Sequence, residues 1–579
     1  MRPKVGLLTS GAERLCGVWM RVLLVRPPAY SKTLEYPSGP RFGLPIGLLY
    51  LAAYLESAGV DVRIYDALID FDWEDVKRNG NGQYHLGASW PRLVSKVLEV
   101  NPDIVGITNP VSDMAEYATR TAREIKARCP NVFTVIGGPH ATSCPGDFLP
   151  DDGAVDYVVR GEGEETFARL IEALSGSGDP TGIPGITFMD GGQIRSNPPA
   201  PFIRDLDGLP LPAYHLVPME RYFDLVRDGY PTRFMFEYPG SDREVSIITS
   251  RGCPFHCVFC GNHLHMGRVW RHNSVEYVLR HMELLISKYG VRHFHLEDDN
   301  VGLDSRRLHD LVTGIIAKRW NITWDTANGI RLHGLSRELL EGIKASGCTY
   351  LEFGIESGSQ ETIDDIIGKG IKLDEAERVL RTCKDLRINV HALYVVGFPG
   401  ETRAAINATF RFARRALMRY DAIPHVCMAR PLPGTELYEI CEEKGYLTEP
   451  MLPDMGSMLR TEVFPRVMIR TEHFDPETLG IWMARFNREI IALCAVKTLG
   501  WLLLHPRVIP AVTRKFLHDS RRGIVEAAKR AFYGGLFFKF SYLDGRLRKL
   551  YDNISGPSRR EAPLENSADQ GPGDIRRLV

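Results

Sequence analysis

Three cysteines, Cys253, Cys257 and Cys260, fall within eight residues in the stretch "RGCPFHCVFCGN". Thiols at C-x3-C-x2-C spacing invite a disulfide, a zinc ion or an iron–sulfur cluster. A disulfide would leave an odd thiol in a crowded loop, in a chain of cytosolic composition. Structural zinc takes four protein ligands, often as two knuckles; no second knuckle exists, although His256, His263 and His265 lie close. Iron–sulfur clusters are usually held by four thiolates. Three can hold three corners of a cubane and leave the fourth iron open as a Lewis-acid and redox site. The other cysteines, Cys16, Cys129, Cys144, Cys348, Cys383, Cys427, Cys441 and Cys494, share no paired spacing and read as reduced, mostly buried thiols.

The elements that must carry this loop form two alternating arrays. In the first, "RVLLVRPP", "DVRIYDA", "PDIVGITNP", "NVFTVIGGPHAT" and "DYVVRG" read as strands, with helical periodicity in "GLLYLAAYLESAG", "DMAEYATRTAREIKARC" and "EETFARLIEAL". Strand–helix alternation predicts a parallel, doubly wound sheet, which binds ligands beyond the carboxyl ends of its strands. A proline-rich connector follows, and then a second array from "REVSIITSRGC" through "HFHLEDDN", "ITWDTANGIRL", "YLEFGIESGS", "NVHALYVVGFPGE" and "AIPHVCMARPLPGTEL". Six strand–helix units predict a partial (β/α)6 barrel with its chemistry at the strand C-terminal ends. Asp325, Asn328, Arg331, Tyr394 and Arg430 are expected at the barrel mouth, where they could position substrate.

The whole is an α/β chain divided as a tail 1–19, a doubly wound domain 20–196, a connector 197–243, a barrel 244–450, a helical region 451–554 and a disordered tail 555–579. With 44% apolar and 25% charged residues and a formal net charge of −1, the composition is that of an ordinary soluble protein and argues against a nucleic-acid binder. The N-terminus lacks the apolar core of a signal peptide, and no apolar run reaches the ~20 residues of a membrane span. A cytoplasmic location is expected. The basic, aromatic stretch within 505–550 reads as a packed helical cap, with membrane-surface docking as the alternative.

The C-x3-C-x2-C loop, with Phe259 before its third cysteine and at the end of the first barrel strand, resembles the radical S-adenosylmethionine (SAM) superfamily. "LEDDN", "GIESGS", "VVGFPGE" and "MARPLPGTELY" resemble that family's later strand segments. The resemblance implies a 4Fe-4S cluster on Cys253, Cys257 and Cys260, acting in catalysis, and SAM contacts from Phe259, Glu297, Asp298, Asp299, Glu356, Ser357 and Gly397. It implies a 5'-deoxyadenosyl radical that abstracts hydrogen from an unactivated carbon, a small-molecule substrate, and an electron donor such as flavodoxin or ferredoxin.

The preceding doubly wound domain, with "PSGPRFGLPIGLLYLAAYLESAGVDVRIYD" and "IGGPHAT", resembles the cobalamin-binding branch of that superfamily. A nucleotide-binding domain is the alternative, but "RPPA" stands after the first strand where G-x-G-x-x-G would be. The resemblance places cobalamin against Thr108, Asn109, Ser112, Gly137, Gly138, His140, Gly161, Glu162 and Gly163. The D-x-H-x-x-G pattern of a lower histidine ligand is absent, and His140 alone sits on a suitable loop. Within the branch the pattern is similar to C-methyltransferases of natural-product pathways, which implies methyl transfer from methylcobalamin to a substrate radical. A cobalamin-dependent radical cyclase of the tetrapyrrole type is the alternative.

Overall fold

The computed structural model describes residues 20–504 except 32–33, 35–41, 79–81, 111–113, 150–151, 177, 229, 231–240 and 449–468. The tails 1–19 and 555–579, the stretch 505–550 and Ser112 therefore lie outside the described residues. The chain to Ile490 forms one compact unit, and a second begins at Ile491.

The first half carries β1 (Arg21–Arg26), β2 (Ala29–Ser31), β3 (Asp61–Asp66), β4 (Tyr84–Leu86), β5 (Ile104–Thr108), β6 (Phe133–Gly137), β7 (Tyr157–Val159), β8 (Ile186–Asp190) and β9 (Gln193–Ser196). Its main sheet runs β3-β1-β5-β6-β7-β8-β9. The alternating apolar residues of β1 split between two cores. Leu23 and Val25 join Val105, Ile107 and Ile136 on one face. Val22 and Leu24 join Ile104, Val135 and Phe167 on the other. Helices cover both faces, which is why these strands are near-continuously apolar. Strand order reverses between β1 and β5, so the crevice beyond "RPPA" and "TNP" is the binding edge of such a sheet.

The sheet is parallel only as far as β7. β7 pairs antiparallel with β8, and β8 antiparallel with β9. The paired glycines Gly191 and Gly192, both at positive φ, turn this hairpin, and it replaces the expectation of a wholly parallel sheet. The connector carries an element of its own: Met219–Arg227 is a helix that buries Met219, Tyr222, Phe223 and Leu225 in a core built from both halves.

The second half contains β10 (Glu244–Ile247), β11 (Ser250–Arg251), β12 (Arg271–His272), β13 (His293–Leu296), β14 (Thr323–Asp325), β15 (Cys348–Glu356), β16 (Asn389–Val396) and β17 (Ile423–Met428). Six of them form one sheet in the order β10-β13-β14-β15-β16-β17. Every pairing in it is parallel. Among the described residues no pairing joins β17 back to β10, so the barrel is open at that seam. Outward residues such as Val245, Phe294, Trp324, Phe353, Ala392 and Tyr394 share one core with the surrounding helices. The inward positions are polar: Glu244, His293, His295, Asp325, Glu352 and His391 are all buried. The expected C-terminal helix is present at Pro476–Leu504. Among the described residues no helix is long and apolar enough to cross a membrane.

Candidate functional site

The cysteine loop is a clamped excursion between two short strands. β11 and β12 pair antiparallel, with Ser250 opposite His272 and Arg251 opposite Arg271. Gly252 opens the loop at φ +84, where an added Cβ would collide with the Val269 carbonyl oxygen. Its N–H donates to Asp299 Oδ2 at 2.7 Å. Val258 N–H donates to Ile367 O at 3.1 Å, and Phe259 packs on Phe398 with ring centroids 5.8 Å apart. The apolar residues of the loop thus anchor it on a small core of Ile367, Phe398, Ala429 and Leu437. The three thiols stay half-buried and unoxidised.

Their arrangement discriminates between metals. A tetrahedral ion with metal–sulfur bonds of about 2.3 Å brings its thiolates within about 3.8 Å of one another. The three sulfurs are not gathered even within 4.8 Å. That is wider than the thiolates of one tetrahedral ion stand. His263 Nδ1 is engaged with Cys260 O at 3.0 Å, and burial pushes His265 down to about 4. Burial raises all three thiols, Cys257 to about 11, while the Lys369 ammonium pulls each of them down.

Lys369 was not singled out in the sequence, although its place between Gly368 and Gly370, both at positive φ, marks a sharply turned segment. Its Nζ donates to Glu356 Oε1 at 2.5 Å. Glu356 itself has φ +65 and follows a register shift between Gly354 and Glu356. Such a bulge re-aims a side chain at the strand end. Arg331 completes this corner. Its guanidinium lies 3.4 Å over the Phe255 ring and donates to Lys369 O at 2.9 Å. It stands at the cysteine loop, at the strand C-terminal ends.

The expected SAM residues divide. Phe259, Asp299 and Glu356 are at the loop, and Glu297 is half-buried at the end of β13, accepting from Ser246 Oγ. Asp298 is instead scaffolding: its Oδ1 accepts from Thr249 N, Thr249 Oγ1 and Ser250 Oγ at 3.1, 2.7 and 2.5 Å. Ser357 is fully buried against Thr409, 2.9 Å between hydroxyls. Gly397 faces Leu479 and Phe474, and its N–H donates to Glu401 Oε2 at 2.6 Å.

Glu401 yields a pH prediction. Burial raises its carboxyl from 4.5 to about 7, against the pull of the Gly397 and Phe398 N–H groups. The folded state then holds a proton that the unfolded state has lost. This stability is fully present below pH 4.5 and lost as pH rises through 7, a change on the order of 3 kcal/mol. Glu401→Gln should therefore flatten the fall in Tm between pH 5 and 8. Parallel wild-type and variant profiles would refute the assignment.

Two expected substrate residues lie elsewhere. Asp325 is completely buried in the barrel floor, where His293 Nε2 and His295 Nδ1 meet its Oδ2 at 2.8 and 2.9 Å. Tyr394 points outward, 6.3 Å from Phe412 of a covering helix, because β16 alternates and its inward set is His391, Leu393 and Val395. Asn328 is exposed, and its Nδ2 donates to Asp298 O at 3.3 Å. Arg430 is half-buried just beyond β17. Beside it a pair was missed: Cys427 Sγ and His425 Nε2 are 3.0 Å apart. Cys427 has accessible surface, yet burial pushes its thiol to about 11. Both hold for a side chain that faces an enclosed lumen.

In the first half, Thr108, Asn109, Gly137, Gly138, Gly161 and Gly163 do converge at the sheet's carboxyl edge. Gly138 has φ +126 and lies so close to Asn109 O that no Cβ fits. Asn109 is fully buried, and among the described residues neither its Oδ1 nor its Nδ2 meets a partner. Gly161, at φ +77, has open space where a Cβ would stand. An orphaned amide beside an open glycine fits a ligand rich in amides and bulky enough to need backbone approach, as a corrinoid is. Two residues depart from expectation. His140 is buried with Nε2 3.0 Å from Asp147 Oδ2 and its ring edge-on to Phe148. Glu162 is consumed by Arg251 and Arg271.

The chain matches the model of the Radical SAM superfamily over residues 247–413 and that of the B12 binding domain over 41–171. An uncharacterized methyltransferase from Pyrococcus horikoshii is 33% identical, over 80% of this chain and 90% of that protein. The cytidylyl-2-hydroxyethylphosphonate methyltransferase of Streptomyces wedmorensis is 29% identical, over 82% of this chain and 90% of that protein. The cobalamin-dependent SAM radical enzyme OxsB, solved with aqua-cobalamin and SAM, superposes with a TM-score of 0.63 at 16% identity, over 93% of this chain and 82% of that one. The chain belongs to the cobalamin-dependent radical SAM enzymes, and methyltransferases are among its relatives within them.

Proposed function

We propose that this chain methylates a carbon of a small molecule by a radical route, as part of natural-product biosynthesis. The observation that carries the reading is the set of three half-buried thiols on one loop, clamped between paired strands at the strand ends of an open barrel. A cluster on these thiols together with SAM supplies the hydrogen-abstracting radical, and a corrinoid in the first half supplies the methyl group. The chain's own residues do the rest. Lys369 and Arg331 offset the negative charge of the cysteine corner, Asp299 holds the loop entry through Gly252, and Asn109 offers its amide to the corrinoid. The inward residues Glu352, His391, His425 and Cys427 line a polar lumen, which favours a polar substrate and keeps a reactive centre away from bulk water. A flavodoxin- or ferredoxin-type donor in the cytoplasm completes the system.

The test is anaerobic turnover with methyl-deuterated SAM and a fractionated small-molecule extract. The expected product carries one trideuteromethyl group in place of hydrogen, with 5'-deoxyadenosine and S-adenosylhomocysteine formed alongside it. Deoxyadenosine accompanied by an unlabelled, oxidised or cyclised product would overturn methyl transfer in favour of the cyclase reading.

A further inference from the structure

A buried ion cluster joins the two halves at the root of the cysteine loop. Glu162 and Glu164 come from the "GEGEE" turn and first helical residues that follow β7. Arg251 is the last residue of β11, two before Cys253, and Arg271 is the first of β12. Arg251 Nη1 donates to Glu162 Oε1 at 2.8 Å and its Nη2 to Glu164 Oε1 at 2.8 Å. Arg271 Nη1 reaches both Glu162 oxygens, at 2.9 and 2.8 Å, and also Ile203 O at 2.6 Å. Ile203 N–H donates to Glu162 Oε2 at 2.8 Å. The four charged side chains are each at most 8% exposed. Aromatic faces close the cluster: Arg251 stands 5.2 Å over Tyr50 of the helix Ile46–Ser57, and Arg271 stands 5.1 Å over Phe202 of the connector.

Two arginines and two glutamates balance in charge, so nothing here calls for a ligand. A buried ion cluster adds little net stability over apolar packing, but it admits very few geometries. Arg251 bridges two carboxylates and Glu162 is shared by two guanidinium groups, and such a network of charge-assisted hydrogen bonds fixes direction as well as distance. Both arginines sit on the strand pair that frames the cysteines, and both carboxylates sit within three residues of Gly161 at the cobalamin-binding edge.

We infer that Glu162, Glu164, Arg251 and Arg271 are positioning residues that set the distance and orientation between the cobalamin and the iron–sulfur cluster. The inference rests on the functional reading above for the presence of those two groups. Removing one carboxylate leaves a buried guanidinium unpaired, and the two halves then settle in a different or broader set of registers.

The test uses the full chain reconstituted with iron, sulfide and hydroxocobalamin and reduced to cob(II)alamin with the reduced cluster. Both centres are then paramagnetic, and the relaxation enhancement of the cob(II)alamin signal by the cluster reports their separation without any substrate. In Glu162→Gln, iron and cobalamin contents should match wild type while the enhancement falls by about half or more. Under reducing conditions with SAM, deoxyadenosine formation, which needs only the barrel, should stay within about twofold. S-adenosylhomocysteine formation, which needs SAM and cobalt in register, should fall about tenfold. Asp190→Asn, which breaks an exposed pair with Arg195, should change neither.

Should Glu162→Gln not fold, the paired Arg251→Met/Glu164→Met replacement fills the same space without charge and should show the same loss of coupling. Wild-type relaxation enhancement and product ratio in whichever of these variants holds both cofactors would overturn the inference. A wild-type chain that takes up no cobalamin or no cluster would instead overturn the functional reading.

Discussion

Cys257→Ala is expected to remove the iron–sulfur absorbance and bound iron and to lower deoxyadenosine formation by more than about a thousandfold, because the cluster carries the electron that the protein has no other group to deliver. Cobalamin uptake should be unchanged. The residues at the cobalamin edge are set by two cores of the first half, around Leu23 and Val25 and around Val22 and Leu24, and neither core contains a residue of the cysteine loop. Iron content together with the absorbance of bound cobalamin checks both halves of the statement in one sample. Retention of a full cluster by the alanine variant would show that another residue supplies the third corner, and the metal assignment would fail.

Gly252→Ala should be nearly as damaging although it touches no ligand. The residue sits at φ +84, and a Cβ there meets the carbonyl oxygens of Val269, Met266 and Gly267. These are backbone atoms of the segment leading into β12, two of them tied in place: Gly267 O accepts from Cys253 N–H and Met266 O from Arg271 Nη2. A non-glycine residue in the left-handed region costs roughly 1–2 kcal/mol by itself, and the collision adds to this by forcing the loop away from Asp299. Cluster occupancy is expected to fall at least several-fold with all three cysteines present. Gly445→Ala separates strain from collision: it too has positive φ, +64, but no atom lies within 4 Å of its Cβ position. It should lose a few degrees of Tm and keep its cluster. Equal cluster loss in the two variants would mean that backbone strain alone, and not the fit of the loop, governs assembly.

These expectations show which parts of the molecule a sequence can disclose. The cysteine loop and its Phe259 are legible because metal ligands and their anchoring aromatic lie within one short segment, so spacing alone carries geometry. The sheet and barrel are legible because strand and helix periods alternate over hundreds of residues. Tyr394 was misplaced because its face depends on the parity of β16, and no local mark in "NVHALYVVGFPGE" says which alternate set turns inward. Asp325 was misplaced for a different reason. Its partners His293 and His295 lie one strand away, and a carboxylate at a strand end reads the same whether it meets a substrate or two imidazoles. Glu162 looked like a ligand of the glycine-rich turn, while its partners Arg251 and Arg271 lie 89 and 109 residues further along the chain. Pairings across such separations leave no trace in a single sequence. Lys369 was missed because an isolated lysine carries no period, although the glycines on either side of it were visible.

The carboxylate shared by two arginines also bears on how such enzymes can be recombined. A chimera that takes its first half from one relative and its barrel from another must cross over somewhere between residues 165 and 250, and any such junction parts Glu162 and Glu164 from Arg251 and Arg271. The graft would have to rejoin the apolar core that Phe42, Leu49, Leu68 and Phe71 share with the barrel, and would still mate badly unless the turn at 161–164 is transplanted with the barrel. Module boundaries drawn from family matches at 171 and 247 would cut through that pairing. A workable exchange treats this short turn as part of the barrel's inheritance.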